Sequence, residues 1–210
     1  MAYLVLVRHG KSQWNKDGLW TGWTDIPLAP EGVEEAKRAG EALIHIGFDI
    51  AYTSDLVRAQ QTLDEILKVI HQEEIPVIQA PEIKERNYGD YTKKNKWELK
   101  AEKGEDEFQK IRRAWDYPPP NGESLKMVYE RVIPYYEHEI LPKLKEGKNV
   151  LVAAHGNSLR ALVKYLDHIS DTDIESLEFG LGEAYVYEVN QEGQVTSKEI
   201  LAKNPEAGKV

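Results

Sequence analysis

Apolar residues form two unbroken runs along the chain, from Tyr3 to Val7 and from Val150 to Ala154. Runs of this length and composition predict strands that are buried on both faces of a parallel sheet. Each run stops at polar residues, the first at Arg8-His9-Gly10 and the second at His155-Gly156. Ligands bind at the carboxyl ends of strands in open α/β sheets, so both histidines are predicted to lie at one sheet edge and to be candidates for chemistry.

Apolar residues at helical spacing predict a first long helix, which opens at Pro30 and is closed by Gly47. Its apolar face contains Val33, Ala36, Leu43 and Ile44.

A strand predicted over residues 49–53 leads into a second helix, with Ser54 as its N-cap. Arg58 falls in the first turn of this helix. Because side chains lean toward the N-terminus of their helix, Arg58 is predicted to point at the strand ends where His9 lies.

Two further helices are predicted in the second half of the chain. The first extends over residues 124–144 with a bend at Pro134, since proline removes a hydrogen bond inside a helix. The second extends over residues 159–166, with Asn157 or Ser158 as its N-cap. The backbone N–H groups at its start are predicted to favour an anion.

Strands that alternate with helices predict the α/β class, as a three-layer α/β/α sandwich with a mostly parallel sheet. The length of 210 residues fits a single domain, 1–210. From about residue 86 to 122 the chain is Lys-rich with a thin apolar stripe, which predicts a helical insertion covering the sheet edge and the site. A hairpin is predicted over residues 184–201, and a mobile tail over about 203–210.

Composition narrows the class of protein. With 41% hydrophobic and 30% charged residues, the chain is typical of a soluble globular protein, and no run reaches membrane-spanning length. The absence of cysteine excludes disulfides and thiol catalysis, and it favours the cytoplasm. A net charge of −9 argues against binding to nucleic acid or anionic membranes. A site for an anion must therefore gather its cations locally.

His9 and His155, together with Arg8 and Arg58, indicate a site for phosphoryl transfer. A neutral imidazole nitrogen can attack phosphorus, while guanidinium groups neutralise charge on the equatorial oxygens of the transferring group. Arginine suits this task because its planar fork binds phosphate through two hydrogen bonds. The alternative is that either histidine only satisfies hydrogen bonds in the core, an explanation that two histidines beside arginines make less favourable.

A metal site and a nucleotide-binding loop fit the residues less well than a phosphoryl-transfer site. His9, His155 and Glu85 could bind zinc, yet Arg8 would repel a divalent cation, so no metal is predicted. Gly10-Lys11-Ser12 resembles the end of a nucleotide-binding P-loop, but Val5 stands where that motif requires its first glycine.

Further charged residues are candidates for contact with a substrate. Glu85 has the chemistry of a general acid or base toward a substrate hydroxyl, although a glutamate in a polar loop is usually solvated. Lys96, Arg112 and Arg113 could bind a carboxylate or a phosphate, although an exposed basic face would explain them equally well.

Several motifs resemble those of the cofactor-dependent phosphoglycerate mutases of the histidine phosphatase superfamily, over about residues 3–189. Arg-His-Gly alone indicates only the superfamily. Ser-Gln-Trp-Asn, Thr-Gly-Trp and His-Gly-Asn-Ser-Leu-Arg together are more specific to the mutase branch. The motifs are Leu6-Val7-Arg8-His9-Gly10, Ser12-Gln13-Trp14-Asn15, Thr21-Gly22-Trp23, Glu85-Arg86-Asn87-Tyr88-Gly89 and Ala154-His155-Gly156-Asn157-Ser158-Leu159-Arg160.

The resemblance implies a role for each matching residue. His9 would be the phosphorylated nucleophile, His155 would stabilise the transferring group, and Glu85 would donate and accept the proton. The residues implied to bind phosphate are Arg8, Asn15, Arg58, Gly156 and Asn157. Those implied to hold the rest of the substrate are Ser12, Thr21, Gly22, Arg86, Tyr88, Lys96, Arg112 and Arg113.

The implied activity is interconversion of 2- and 3-phosphoglycerate through a phosphohistidine, without metal, in cytoplasmic glycolysis and gluconeogenesis. The implied cofactor is 2,3-bisphosphoglycerate as the phosphoryl primer, and the partner is a small phosphorylated glycerate; a homo-oligomer is also allowed. Three departures stand out: Lys11 replaces the usual glutamate, the chain is short between Arg113 and Gly122, and Gly182-Glu183-Ala184 replaces a Gly-x-Pro pattern.

Two other functions stay open at this stage. A phosphatase of small phosphate esters would share the phosphohistidine and differ in admitting water. A phosphoprotein-binding module would keep the cationic pocket without turnover.

Overall fold

In a computed structural model, which describes residues 1–205, six strands form one sheet in the order β3-β2-β4-β1-β5-β6. Strands β1, β2, β3 and β4 are parallel, whereas β5 and β6 run antiparallel to their neighbours in a hairpin. The predicted mostly parallel sheet is confirmed. The strands are β1 (Ala2–Arg8), β2 (Ile50–Thr53), β3 (Val77–Gln79), β4 (Val150–Ala154), β5 (Ala184–Val189) and β6 (Val195–Leu201).

Helices cover both faces of the sheet. The helices are α1 (Gln13–Lys16), α2 (Pro30–Leu43), α3 (Val57–Ile70), α4 (Lys96–Lys103), α5 (Glu105–Arg113), α6 (Leu125–Tyr135), α7 (Leu141–Lys145) and α8 (Gly156–Leu166). Leu4 and Leu6 of β1 pack toward α6 and α8, while Val5 and Val7 pack toward α2 and α3. Successive side chains of a strand point to opposite faces, so one buried strand serves two cores and the fold has three layers.

The predicted insertion is helical. Helices α4 and α5 bury Leu99, Phe108 and Ile111 in a small third core with Trp20 and Tyr88. This core is separate from the two that flank the sheet. Residues of α4 and α5 line one cavity together with Arg8 and His9 at the carboxyl end of β1, and we call these two helices the cover.

Helix boundaries differ from the prediction at several places. Helix α2 ends at Leu43 rather than at Gly47, and Ile44 is 47% exposed because it lies beyond the last turn. Ala39 and Gly40 occupy the buried face instead. Leu56 is the N-cap of α3, so the prediction for Ser54 is wrong.

The helix predicted over residues 159–166 begins earlier, at Gly156, with His155 as its N-cap. Ser158 accepts a hydrogen bond from the backbone N–H of His155, over 3.2 Å. The prediction that Asn157 or Ser158 is the N-cap is therefore wrong.

The helix predicted over residues 124–144 with a bend at Pro134 is interrupted two residues after that proline. Pro134 has no N–H to donate to the preceding turn, and a π-helical turn, Tyr136–Ile140, follows it before α7 begins.

Asn204 lies in the stretch predicted to be a mobile tail and makes two hydrogen bonds. Its N–H donates to a carboxylate oxygen of Glu183 over 2.9 Å, and its side-chain amide donates to the carbonyl of Leu181 over 2.9 Å. The mobility of the tail stays a prediction, and residues 206–210 of the predicted tail lie outside the described residues. None of the helices within residues 1–205 has the length and apolar character needed to cross a membrane.

Candidate active site

His9 follows the last residue of β1 and has a defined tautomer. Its backbone N–H donates to the carbonyl of Ala154 over 2.9 Å, which fixes the imidazole beside the neighbouring strand. Its Nδ1 lies 2.7 Å from the carbonyl oxygen of Gly10. Because a carbonyl oxygen only accepts hydrogen bonds, Nδ1 carries the proton, and Nε2 is left with a free lone pair.

His155 follows β4 and meets His9 at the sheet edge. The two ring centroids lie 5.0 Å apart, and both rings are buried. The predicted meeting of the two histidines is confirmed, and its cause is the parallel pairing of β1 with β4, in which Arg8 lies opposite Ala154.

Both imidazoles are held neutral. Burial, followed by the charges of Arg58 and Arg8, lowers the pKa of His9 well below its ordinary value. Burial and the charge of Arg58 likewise lower the pKa of His155. A neutral His9 keeps its Nε2 lone pair available at neutral pH, as a nucleophile requires.

Arg58 and Arg8 place two cations beside these rings. Arg58 is 1% exposed and donates to the carbonyls of Thr24 and Gly22, over 2.9 and 2.8 Å. Arg8 donates to the carbonyl of Phe179 over 2.6 Å. In the part of the chain that the structure describes, the Nε atoms of both arginines are buried without a partner. The guanidinium groups are thus positioned by backbone carbonyls and keep donors available for an anion.

Glu85 is a buried carboxylate in the loop before Arg86, and it contacts the first turn of α8. It accepts hydrogen bonds from the backbone N–H of Arg86 over 2.7 Å and from the backbone and side-chain N–H groups of Asn157 over 3.1 and 3.0 Å. Burial opposes its ionisation, but these donors and the charge of Arg8 together hold the pKa of Glu85 below its ordinary value. One backbone N–H predicted to bind phosphate, that of Asn157, is therefore occupied by a carboxylate.

A cavity of about 400 Å³ opens between the strand ends and the insertion. Thirteen of the predicted site residues line it. They are Arg8, His9, Asn15, Thr21, Gly22, Arg58, Glu85, Tyr88, Lys96, Arg112, Arg113, Gly156 and Asn157. His155 is fully buried and is not among the lining residues, but its ring adjoins that of His9, a lining residue, with the two centroids 5.0 Å apart.

Two predicted substrate contacts have other positions. Ser12 is buried as the N-cap of α1, where its hydroxyl bonds to Asn15 over 2.8 Å. Arg86 is also buried; it lies against the ring of Tyr88 and donates to the carbonyl of Ile111 over 2.6 Å. Neither side chain lines the cavity, so Arg86 joins the insertion to the body of the protein and Ser12 positions Asn15.

The insertion supplies a second group of cations, and each is influenced by its neighbours. Burial, followed by the charges of Arg8 and Arg112, lowers the pKa of Lys96 to about 8. Arg113 forms an ion pair with Glu178, a carboxylate that also lines the cavity. The cover thus faces the cavity with basic groups that one acidic residue partly offsets.

The sequence prediction missed three contributors. Arg160 lines the cavity and donates to the side-chain oxygen of Asn157 over 3.0 Å; its position one helical turn after Gly156 could have indicated this. Glu178 reaches the cavity through tertiary packing alone. Ser54 contacts His155, with its Oγ 2.6 Å from Nε2, and no motif in the sequence indicated this contact.

The same centre has the donors of a three-ligand metal site. Ligand atoms of His9, Glu85 and His155 lie within 4.8 Å of one another. Besides burial, the positive charges of Arg8 and Arg58 lower the pKa of both imidazoles and so oppose a further positive charge on them. A divalent cation would face the same repulsion, whereas a phosphate would relieve it.

Comparison with known proteins gives consistent results. Residues 4–200 match the histidine phosphatase superfamily (branch 1). The 2,3-bisphosphoglycerate-dependent phosphoglycerate mutase of Parvibaculum lavamentivorans is 48% identical over 200 residues, which cover 94% of this chain and 95% of that protein. The mutase of the same name from Methylocella silvestris is 46% identical, with coverage of 94% and 97%.

Solved structures with the same fold include both mutases and phosphatases. A phosphoglycerate mutase from Bacillus anthracis aligns with a TM-score of 0.72 and 26% identity, over 96% of this chain and 94% of that one. An alpha-ribazole phosphatase from Shigella flexneri aligns with a TM-score of 0.79 and 27% identity, over 96% of each chain.

Proposed function

The chain belongs to the histidine phosphatase superfamily, branch 1, and from this membership we propose that it is a 2,3-bisphosphoglycerate-dependent phosphoglycerate mutase. The observation that carries the proposal is the neutral His9, with its Nε2 lone pair free beside buried guanidinium groups. In this proposal the enzyme interconverts 2- and 3-phosphoglycerate in cytoplasmic glycolysis and gluconeogenesis.

The cavity has the properties that a bisphosphorylated primer requires. Its volume of about 400 Å³ suits a small ligand. Within residues 1–205, the buried Nε atoms of Arg8 and Arg58 and the Nδ1 of His155 have no partner. Unpartnered buried donors are costly, so an anion that accepts from them would stabilise the site. We assign 2,3-bisphosphoglycerate to this position and propose that no metal takes part.

We propose that the reaction begins with attack by Nε2 of His9 on a primer phosphoryl group. An N–P bond forms and a P–O bond breaks, while Arg8 and Arg58 neutralise the charge on the phosphoryl oxygens. In this proposal the charge of the bound anions raises the pKa of Glu85 from its lowered value in the free enzyme, so that Glu85 takes up a proton from solvent and gives it to the departing oxygen.

Glu85 reverses its role in the second half of the reaction. As a carboxylate it takes the proton from a glycerate hydroxyl, whose oxygen attacks the phosphorus and breaks the N–P bond. His9 is regenerated, and the complete cycle neither takes up nor releases a net proton. Lys96, Arg112 and Arg113 hold the carboxylate and the second phosphate in this assignment.

A phosphatase acting on small phosphate esters is the second candidate, favoured by the fold similarity to the Shigella flexneri phosphatase. The basic cover favours the mutase, because it provides charges that can retain a glycerate acceptor and exclude water.

The test is an enolase-coupled assay of 3-phosphoglycerate conversion, with and without 2,3-bisphosphoglycerate, in parallel with a measurement of phosphate release. Primer-dependent isomerisation that outpaces phosphate release is expected, and EDTA should not change it. His9→Ala should lose both activities and the acid-labile phosphate on the protein, whereas His45→Ala, at an exposed imidazole, should lose neither. Phosphate release that outpaces isomerisation would favour the phosphatase, and a fully active His9→Ala would contradict both candidates.

A further inference from the structure

Ser54 lies in a row with the two histidines. It follows β2, His155 follows β4, and His9 follows β1, and these three strands are neighbours in the sheet. In the strand register, Thr53 lies opposite Ala153 and Arg8 lies opposite Ala154. The carboxyl ends of three adjacent parallel strands therefore bring Ser54, His155 and His9 side by side.

The hydroxyl of Ser54 has two partners and is fully buried. Its Oγ lies 2.6 Å from Nε2 of His155 and accepts the backbone N–H of Leu56 over 3.2 Å. Within residues 1–205, this hydroxyl makes no other hydrogen bond.

A hydroxyl has one proton and must donate it somewhere when buried. If Nε2 carried a proton, two N–H groups would point at the same oxygen and the hydroxyl proton would have no acceptor. If Nε2 is unprotonated, the hydroxyl donates to it and still accepts from Leu56, so the hydroxyl and both of its neighbours are paired and, of this cluster within residues 1–205, only Nδ1 of His155 has no partner. The second arrangement is the one that satisfies this buried cluster.

The tautomer of His155 follows from that arrangement. A neutral imidazole has one N–H, so an Nε2 that accepts places the proton on Nδ1. In the described part of the chain, Nδ1 of His155 is buried without any partner. This unused donor belongs to a ring whose centroid is 5.0 Å from that of His9.

We infer that Ser54 is a positioning residue, which fixes the tautomer of His155 so that its Nδ1–H donates to the phosphoryl oxygen during transfer at His9. The identity of that acceptor rests on the proposed function, whereas the tautomer does not. Ser54 acts through His155 and touches no reacting atom.

The chain offers a matched control one residue away. Thr53 is 1% exposed, and its hydroxyl has no hydrogen-bond partner in the described part of the chain. Thr53→Val removes this buried hydroxyl with little change in volume, so it should alter neither the tautomer nor the rate. Ser54→Thr retains the hydroxyl and should resemble the wild type.

The experiment combines nitrogen NMR of histidine-labelled protein with single-turnover phosphoryl transfer from 2,3-bisphosphoglycerate. In the wild type, His155 should show a protonated Nδ1 and an unprotonated Nε2. In Ser54→Ala, a second tautomer should appear. Phosphoryl transfer should slow by about 10- to 100-fold, because outright deletion of such a donor costs roughly 100-fold or more.

Two outcomes would overturn the inference. The first is a wild-type His155 with its proton on Nε2, a result that requires no variant to fold. The second is a folded Ser54→Ala with an unchanged tautomer and rate. Failure of the wild type to acquire phosphate on His9 would instead contradict the proposed function, and the NMR measurement would remain valid.

Discussion

At the residue scale, Arg58 is a cation kept almost entirely out of water. Burial lowers its pKa to about 10, although Glu85 and Asp25 oppose the shift. Backbone carbonyls hold two of its nitrogens, and within the described residues its buried Nε has no partner. A buried cation with an unused donor favours any anion that reaches it, so phosphate binding should also stabilise the folded protein.

Lys96 provides a pH-dependent prediction. Because its pKa is about 8 in the free enzyme, the side chain is charged below this pH and neutral above it. A bound anion favours the charged form, so the affinity for 3-phosphoglycerate should fall by about tenfold between pH 7.5 and 9.5. Lys96→Arg keeps its charge over this range and should show a flatter profile. Calorimetric titrations of both proteins would test this, and parallel profiles would contradict it.

At the element scale, the two ends of the insertion that carries the cover meet at a close backbone contact. Gly89 has φ of +50°, and a Cβ there would lie 2.1 Å from the carbonyl oxygen of Pro120. The next N–H, that of Asp90, donates to the same oxygen over 2.9 Å. Two backbone segments thus meet at a distance that only glycine allows, next to Tyr88 in the cavity wall.

Gly89→Ala should destabilise the protein by about 3 kcal/mol or more, since backbone strain and a backbone collision add. Gly147 is a matched control: it has φ of +84°, and a Cβ there would have open space, with no neighbouring group of the described residues within 4 Å. Gly147→Ala should cost only the strain, about 1–2 kcal/mol. Urea unfolding of the two variants measures the difference, and equal losses would show that the contact at Pro120 is unimportant.

At the scale of the whole molecule, two large cores flank the sheet and a small third core holds the cover. The histidines and Arg58 belong to the sheet side, whereas Lys96, Arg112 and Arg113 belong to the cover. The cavity lies between these two parts, so a ligand with two anionic groups would bind both of them and hold them together.

Hydrogen exchange should detect this bridging. Amides of α4 and α5 are expected to exchange faster than those of β1 and β4 in the free enzyme, because fewer buried side chains hold them. Saturating 3-phosphoglycerate should slow exchange in α4 and α5, whereas inorganic phosphate, which is too small to bridge, should slow it less. Equal protection by the two ligands would contradict a bridging role for the cover.

Local patterns of residues suffice to predict the layered α/β fold and the position of most residues of the site. Apolar runs and helical periodicity are local patterns, and a buried strand that ends in Arg-His-Gly or His-Gly places those residues at the ligand-binding edge wherever the strand lies in the sheet. For this reason His9 and His155 were expected at the sheet edge where the structure places them, and Arg58 was expected there from its place in the first turn of α3. Their roles in the reaction stay predictions.

Features that depend on strand order and on the packing of loops could not be predicted from local patterns. Arg86 and Ser12 belong to matching motifs, yet neighbouring backbone groups hold them away from the cavity. Ile44 fitted the helical period but lies beyond the end of α2, because periodicity does not fix where a helix stops. Ser54 reaches His155 only because β2 and β4 are adjacent, and a contact across 101 positions in sequence leaves no trace in local pattern.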